Sequence, residues 1–257
     1  MVYNLIGRDY ETKNFTFHDV HVEGTARIAD AVAKYDVDRF VQVSSYNADP
    51  NSESAFFRTK AEGERVAREI FPETTIVRPA PLFGWEDRML NRFAGESTIW
   101  ASNHLRETLY PVHAIDVGAA LELMLQDDTT AGQTYELFGP TQYSMREIYE
   151  TAAREVLKRR PVLNIPAAIR KPITSILARV LWFVESSPDM VTREFIDQKI
   201  DPLAKTFREL GIDPVEMKAC TYEYLQGFRS NVYYDLPAMT EKEKREEKKY
   251  VHVLDDQ

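Results

Sequence analysis

The chain is poor in the residues that specialised protein classes depend on. It has one cysteine, Cys220, in 257 residues. No internal disulfide can form, and a reducing compartment is expected. No cysteine–histidine cluster has the spacing of a metal site, so no metal ligand is assigned. No run of 18 apolar residues occurs, which excludes a transmembrane helix of ordinary length. The N-terminus carries neither an apolar signal segment nor an Arg/Ser-rich presequence. Positive charge is in deficit: the net charge is −9, which argues against general nucleic-acid binding. The ten glycines are scattered and nowhere form G-x-G-x-x-G or G-x-x-G-x-x-G. Such a loop lets backbone N–H groups approach a pyrophosphate at a helix N-terminus, so the usual dinucleotide anchor is missing from this sequence.

What is present is ordinary globular composition, 44% hydrophobic and 11% aromatic. The informative stretch is 41–84, VQVSSYNADPNSESAFFRTKAEGERVAREIFPETTIVRPAPLFG. Phe40-Val41-Gln42-Val43 alternates apolar and polar residues and predicts a strand ending at Ser44-Ser45. Residues 53–70 have helical charge spacing without proline. Thr75-Ile76-Val77 is a short β-branched strand, expected to stop at Arg78-Pro79. Strands alternating with helices of this length make βαβ units and a parallel sheet. Ligands of such sheets sit at the carboxyl ends of strands, where Ser44, Ser45 and the 79–84 loop fall.

Elsewhere, Met1 to Gly7 opens in a strand, and 20–35 places Val22, Ala26, Ala29 and Val32 at helical spacing. Residues 85–102 predict a helix and loop over the ligand cleft. Residues 108–125 predict a short strand and a helix with Asp116 as its N-cap. His113 is either an acid/base group or, on the plainer reading, a histidine packed ahead of that helix. Residues 133–138 predict a strand turned by Gly139-Pro140, and Ser144 with Glu147 forms a capping-box pattern. The segment 158–193 holds seven basic residues and two acidic ones. Within it Ile169, Ile173, Ile176, Leu177, Val180, Leu181 and Val184 predict an amphipathic helix over 169–184, widened by Trp182 and Phe183, with Pro172 starting a turn or kinking it. That basic apolar face suits a partner groove or an anionic membrane surface; alternatively it is a core helix with solvated basic residues. Residues 191–210 read as helical and polar, 221–228 as a final helix, and the tail as solvated or disordered.

At 41–84 the sequence resembles the extended and atypical short-chain dehydrogenases/reductases, the NAD-dependent epimerase/dehydratase family. Ser44-Ser45 resembles the catalytic serine region. Phe56-Phe57-Arg58-Thr59-Lys60 resembles the Tyr-x-x-x-Lys motif with Phe56 in the tyrosine's place, and Arg78-Pro79 to Gly84 resembles the cofactor loop. The resemblance implies that the phenol acting as general acid/base is absent, while Lys60, which holds the nicotinamide ribose, remains. Tyr46 is the one nearby phenol able to substitute, although a loop tyrosine packed on the sheet edge is the plainer reading.

The strings YNLIGRDYETKNF, HVEGTARIADA and TTIVRPAPLFGWEDRMLNRFA narrow the resemblance to the short-chain-dehydrogenase-like accessory subunits of mitochondrial respiratory complex I, fungal type. What this implies is a non-catalytic NADP(H)-binding subunit, in contact with other complex I subunits, peripheral on the matrix side of the inner membrane. An anionic-lipid contact through the 169–184 helix fits that placement. The implied nucleotide-binding residues are Leu5, Ile6, Gly7, Ser44, Ser45, Lys60, Pro79, Ala80, Pro81 and Leu82. The expected fold is α/β: the C-terminal part of a doubly wound, Rossmann-like parallel sheet, without its first strands and Gly-rich loop, plus a smaller, mostly helical lobe. The expected division is a partial nucleotide domain over 1–100, a lobe over 101–235 and a charged tail over 236–257. The chain is therefore expected to be a piece of a longer protein, with NADP(H) binding weak or absent in the chain alone. The alternatives are a soluble NADP(H)-dependent sensor and an active extended short-chain dehydrogenase or epimerase.

Overall fold

The computed structural model describes residues 1–180, 187–231, 233–238 and 242. In chain order the strands are β1 Val2–Asn4, β2 Phe40–Val43, β3 Thr75–Pro79, β4 Leu82–Phe83, β5 Ile99–Ala101, β6 Thr108–Leu109, β7 Val112–His113, β8 Thr134–Leu137, β9 Tyr143–Ser144 and β10 Val162–Asn164. The α-helices are α1 Gly24–Lys34, α2 Ala55–Ile70, α3 Leu90–Gly95, α4 Ala114–Gln126, α5 Met145–Val156, α6 Ala167–Val180, α7 Pro188–Arg193 and α8 Met217–Leu225. A π-helical turn, Asp19–Glu23, leads into α1.

The central sheet has the order β1-β2-β3-β8 and is parallel throughout. Successive side chains of a strand point to opposite faces. Phe40 packs with Ala29, Val32 and Ala67 of α1 and α2, while Val41 packs with Val117, Ala120 and Met124 of α4. Helices thus cover both faces, as a parallel sheet requires. Close packing on the first face depends on Gly63: a Cβ there would lie 2.4 Å from the His21 carbonyl oxygen. A second core joins α3, α5 and α8 around Leu90, Phe93, Ile148, Ala152 and Leu225. The capping box is formed, with Ser144 Oγ and the Glu147 carboxylate closing the start of α5.

Four expectations change. β3 runs on through Arg78 and Pro79, which pair with Glu136 and Leu137 of β8. The proline is tolerated because it is the last residue of the strand. Residues 97–102 are not loop alone: Ile99–Ala101 is a strand paired with β10. Asp116 is not the N-cap of α4. His113 holds that position, and Asp116 lies buried in the first turn accepting the Val215 N–H at 2.7 Å. Residues 191–210 are not one helix. α7 ends at Arg193, and the chain then runs extended, with Lys205 bonded to Thr134 and Glu136 at 2.9 and 2.8 Å. It covers the outer edge of β8, so sheet pairing overrides local helical propensity. Pro172 lies within α6 without ending it. Its missing N–H withholds one helical hydrogen bond, while Thr174 Oγ1 bonds back to the Arg170 carbonyl at 3.1 Å. Ile169, Ile173, Ile176, Leu177 and Val180 face outward on α6. Leu181, Trp182, Phe183 and Val184, and most of the charged tail, lie outside the described residues. Among the described residues no helix is long and apolar enough to cross a membrane.

Candidate functional site

The carboxyl ends of β1, β2 and β3 open into a cleft of about 750 Å³. Gly7, Ser44, Ser45, Lys60, Pro79, Ala80, Pro81 and Leu82 all line it, joined by Arg8, Tyr10, Phe56 and Trp85. Leu5 and Ile6 do not: their side chains are 66% and 57% exposed and stand outside the lining. Their loop is fixed by buried Asn4, whose Oδ1 accepts the Ile6 N–H at 3.0 Å and whose amide donates to Gln42 Oε1 at 2.8 Å. Three backbone bonds anchor the cleft floor: Ser44 N–H to Val77 at 2.7 Å, Tyr46 N–H to Pro79 at 3.1 Å, and Ala80 N–H to Leu137 at 2.8 Å.

Lys60 lies one turn after Phe56 and is 8% exposed. Its Nζ sits 5.9 Å from the Phe56 ring centroid. Gly7 leaves it room, since a Cβ there would come within 2.8 Å of Nζ. Among the described residues the ammonium has neither a hydrogen bond nor an ion pair. Burial therefore lowers its pKa to about 8, with Glu64 opposing the shift. Ser44 lines the same cleft, and its buried Oγ has no hydrogen-bond partner among the described residues. A buried donor and a buried hydroxyl left open on one concave wall are what a hydroxyl-rich or anionic ligand would satisfy.

Phe56 cannot move a proton. Its ring is embedded among Phe17, Phe57 and His21, and the Arg193 guanidinium lies 4.5 Å from its centroid. His21 escaped the sequence reading because nothing in its spacing marks it. It is buried between the Arg8 carbonyl and Thr59 Oγ1, each at 2.9 Å. Burial first, then the Lys60 charge, lowers its pKa to about 3. Tyr46 packs edge-on against Phe57 at 5.3 Å and borders the cleft. Burial raises its phenol pKa; Arg193 opposes this and Glu107 adds to it. His113 does not itself line the cleft, although its neighbours Phe83 and Ala114 do. It is buried, stacked on Phe83 at 5.1 Å, with Nε2 2.6 Å from the Tyr224 hydroxyl. The plainer reading, a packed histidine, describes it. The closest approach to a metal-ligand group among the described residues is His18, Asp19 and Glu23 on the surface, where Asp19 is occupied by Thr16 and Glu23 by Arg27.

No protein-family profile matches the chain. Over 254 residues it is 61% identical to the mitochondrial NADH-ubiquinone oxidoreductase 40 kDa subunit of Neurospora crassa, covering 99% of this chain and 68% of that one. It is 30% identical over 234 residues to the mouse mitochondrial NADH dehydrogenase [ubiquinone] 1 alpha subcomplex subunit 9, covering 90% of this chain and 62% of that one. The chain thus spans about two thirds of the length of these relatives or slightly less. Among solved structures it resembles the dTDP-glucose 4,6-dehydratase of Bacillus anthracis in complex with NAD, with a TM-score of 0.60 at 14% identity, covering 88% and 72% of the two chains. It also resembles the Thermus thermophilus UDP-glucose 4-epimerase complex with NAD, with a TM-score of 0.58 at 15% identity, covering 85% and 73%. These two likenesses concern the fold alone.

Proposed function

The chain belongs to the family of the mitochondrial NADH-ubiquinone oxidoreductase 40 kDa subunit, and we propose that it acts as a non-catalytic, NADP(H)-binding accessory subunit of that complex. The observation that carries this reading is Lys60, a buried cation with no partner among the described residues, facing a cleft in which Phe56 occupies the place of a proton-transferring phenol. Lys60 and Ser44 would hold the ribose hydroxyls of the nicotinamide half, and Gly7 with the 79–82 loop would shape the wall around it. NAD, held by the epimerase and dehydratase of similar fold, supports a dinucleotide in this cleft. With no Gly-rich phosphate loop in its sequence, the 257-residue chain by itself binds weakly.

In this role the bound nucleotide is structural. It fills the cleft, satisfies Lys60, and stabilises the fold for assembly with other complex I subunits. The location is peripheral, on the matrix side of the mitochondrial inner membrane. The outward apolar residues of α6 would meet a partner subunit or anionic lipid there. An active enzyme using Tyr46 is the second reading, favoured by that phenol bordering the cleft. Its raised pKa points away from acid/base work near neutrality.

The test is nucleotide content. NADP(H) is released by acid from the assembled complex carrying either the unmodified subunit or the Lys60→Ala subunit. Content is expected to fall by about tenfold or more if a charge-assisted hydrogen bond is lost. Equal content in both would refute the assignment of Lys60.

A further inference from the structure

A second cavity, of about 680 Å³, lies on the far side of Tyr46, between α6, α7 and the chain around β6. Its volume falls in the usual range of about 300–1,000 Å³ for small-molecule sites. Trp100, Leu109, Met145, Ile165, Ile173 and Leu177 form its apolar wall. Ile173 and Leu177 are also half exposed on α6, so the wall continues outward into the surface row of Ile169, Ile176 and Val180.

The polar groups of this cavity restrict what enters it. Three arginines line it, and each has a carboxylate within ion-pair distance: Arg92 with Glu96 at 3.5 Å, Arg170 with Glu194 at 2.6 Å, and Arg193 with Asp189 at 3.4 Å, the last without a hydrogen bond at its buried Nε among the described residues. Glu194 is further held by the Ser102 N–H at 2.8 Å. An anionic head group would therefore have to displace an existing ion pair. Glu107 is different. It is 7% exposed, and its Oε2 is buried with no hydrogen-bond partner among the described residues. Burial raises its pKa to about 7, with the Asn103 side chain opposing. The Tyr46 hydroxyl beside it also makes no hydrogen bond among the described residues.

From an apolar wall, three arginines already paired with carboxylates and one open carboxyl, we infer that this cavity binds a neutral amphiphile, its uncharged hydroxyl or carbonyl head hydrogen-bonded to Glu107 and its single apolar chain leaving past Ile173 and Leu177. Of the residues lining the site, Tyr46 alone also lines the nucleotide cleft. A nucleotide-sugar diphosphate is a poor fit, because its charge would compete with the carboxylate that each of the three arginines already faces.

Equilibrium dialysis of the full chain against radiolabelled 1-dodecanol, dodecanoate and dodecyl phosphate, each below its micelle concentration, tests this. Dodecanol is expected to bind saturably at one site, with dodecanoate and dodecyl phosphate weaker by about tenfold or more. Leu177→Trp, which fills the mouth, should reduce dodecanol affinity by about tenfold or more. Glu107→Leu should weaken it about tenfold, while Glu107→Gln, which keeps a hydrogen-bonding head, should stay within about threefold. Equal or tighter binding of the anions, absence of saturable dodecanol binding, or full affinity in Leu177→Trp would each overturn the inference. The alcohol-versus-anion comparison uses the unmodified chain, so it stands even if a variant fails to fold.

Discussion

Two cations of the sheet domain, Lys60 buried and Arg78 half-buried, are treated in opposite ways. Arg78, on β3, grips Glu64 through two bonds of 2.9 and 2.7 Å and has Glu136 and Asp201 each at 3.6 Å. These carboxylates raise its pKa even against burial. Lys60, one turn before Glu64 on α2, has no such partner and loses part of its hold on a proton. The same helix thus gives Glu64 to the Arg78 network and leaves Lys60 facing the cleft without a hydrogen bond or ion pair among the described residues. A charge boxed in by carboxylates holds elements together; a charge left open in a concavity is a group awaiting a ligand.

The largest test of this contrast is Arg78→Met. It leaves Glu64 and Glu136 buried without their cation, so unfolding by urea should show a loss of about 3–5 kcal/mol. A loss below about 1 kcal/mol would mean that the network is slack and the contrast false. Next comes Lys60→Met, read against pH. The native amine gives up its proton near pH 8, whereas in the unfolded chain it does so near about 10.4. Between those values the unfolded state binds the extra proton, so the lysine protein gains stability as pH rises. Relative to Lys60→Met, the unmodified chain should gain about 3 kcal/mol across that window, seen as convergence of the two unfolding midpoints. A pH-independent difference would show Lys60 to be partnered in solution. The smallest effect is expected at Ser144→Ala, whose capping role lies outside both regions. Thermal unfolding should register a loss of about 1 kcal/mol, the scale of an ordinary lost cap.

Much of the sheet was legible because its signals are local. Alternation in Phe40–Val43, the β-branched run at Thr75 and the uninterrupted spacing of α2 need no distant partner to be read. The capping box at Ser144 is equally local. The misread positions all answer to distant groups. Asp116, a plausible cap by sequence, is drawn to a backbone N–H 99 residues away. The true N-terminal support of α2 includes the Asp189 carboxylate, which accepts Ser54 Oγ at 2.8 Å and the Ala55 N–H at 2.7 Å from 134 or more residues along the chain. The extended run after α7 exists because β8 has an edge to cover. His21, a histidine without any motif, becomes part of the cleft's charge balance only when the π-helical turn sets it beside Lys60 and Arg193.

What the sequence by itself determined is the succession of strands and helices in the central sheet and the substitution of Phe56 in a Tyr-x-x-x-Lys pattern, since periodicity and residue chemistry are local properties. Only the tertiary structure decided which of the charged groups are satisfied. Lys60 and Arg78 both read as cations in the sequence. Lys60 is set against Gly7 and the Phe56 ring, whereas Arg78 on β3 meets Glu64, Glu136 and Asp201; one is left open and the other closed, because desolvation and pairing depend on neighbours that arrive from elsewhere in the chain.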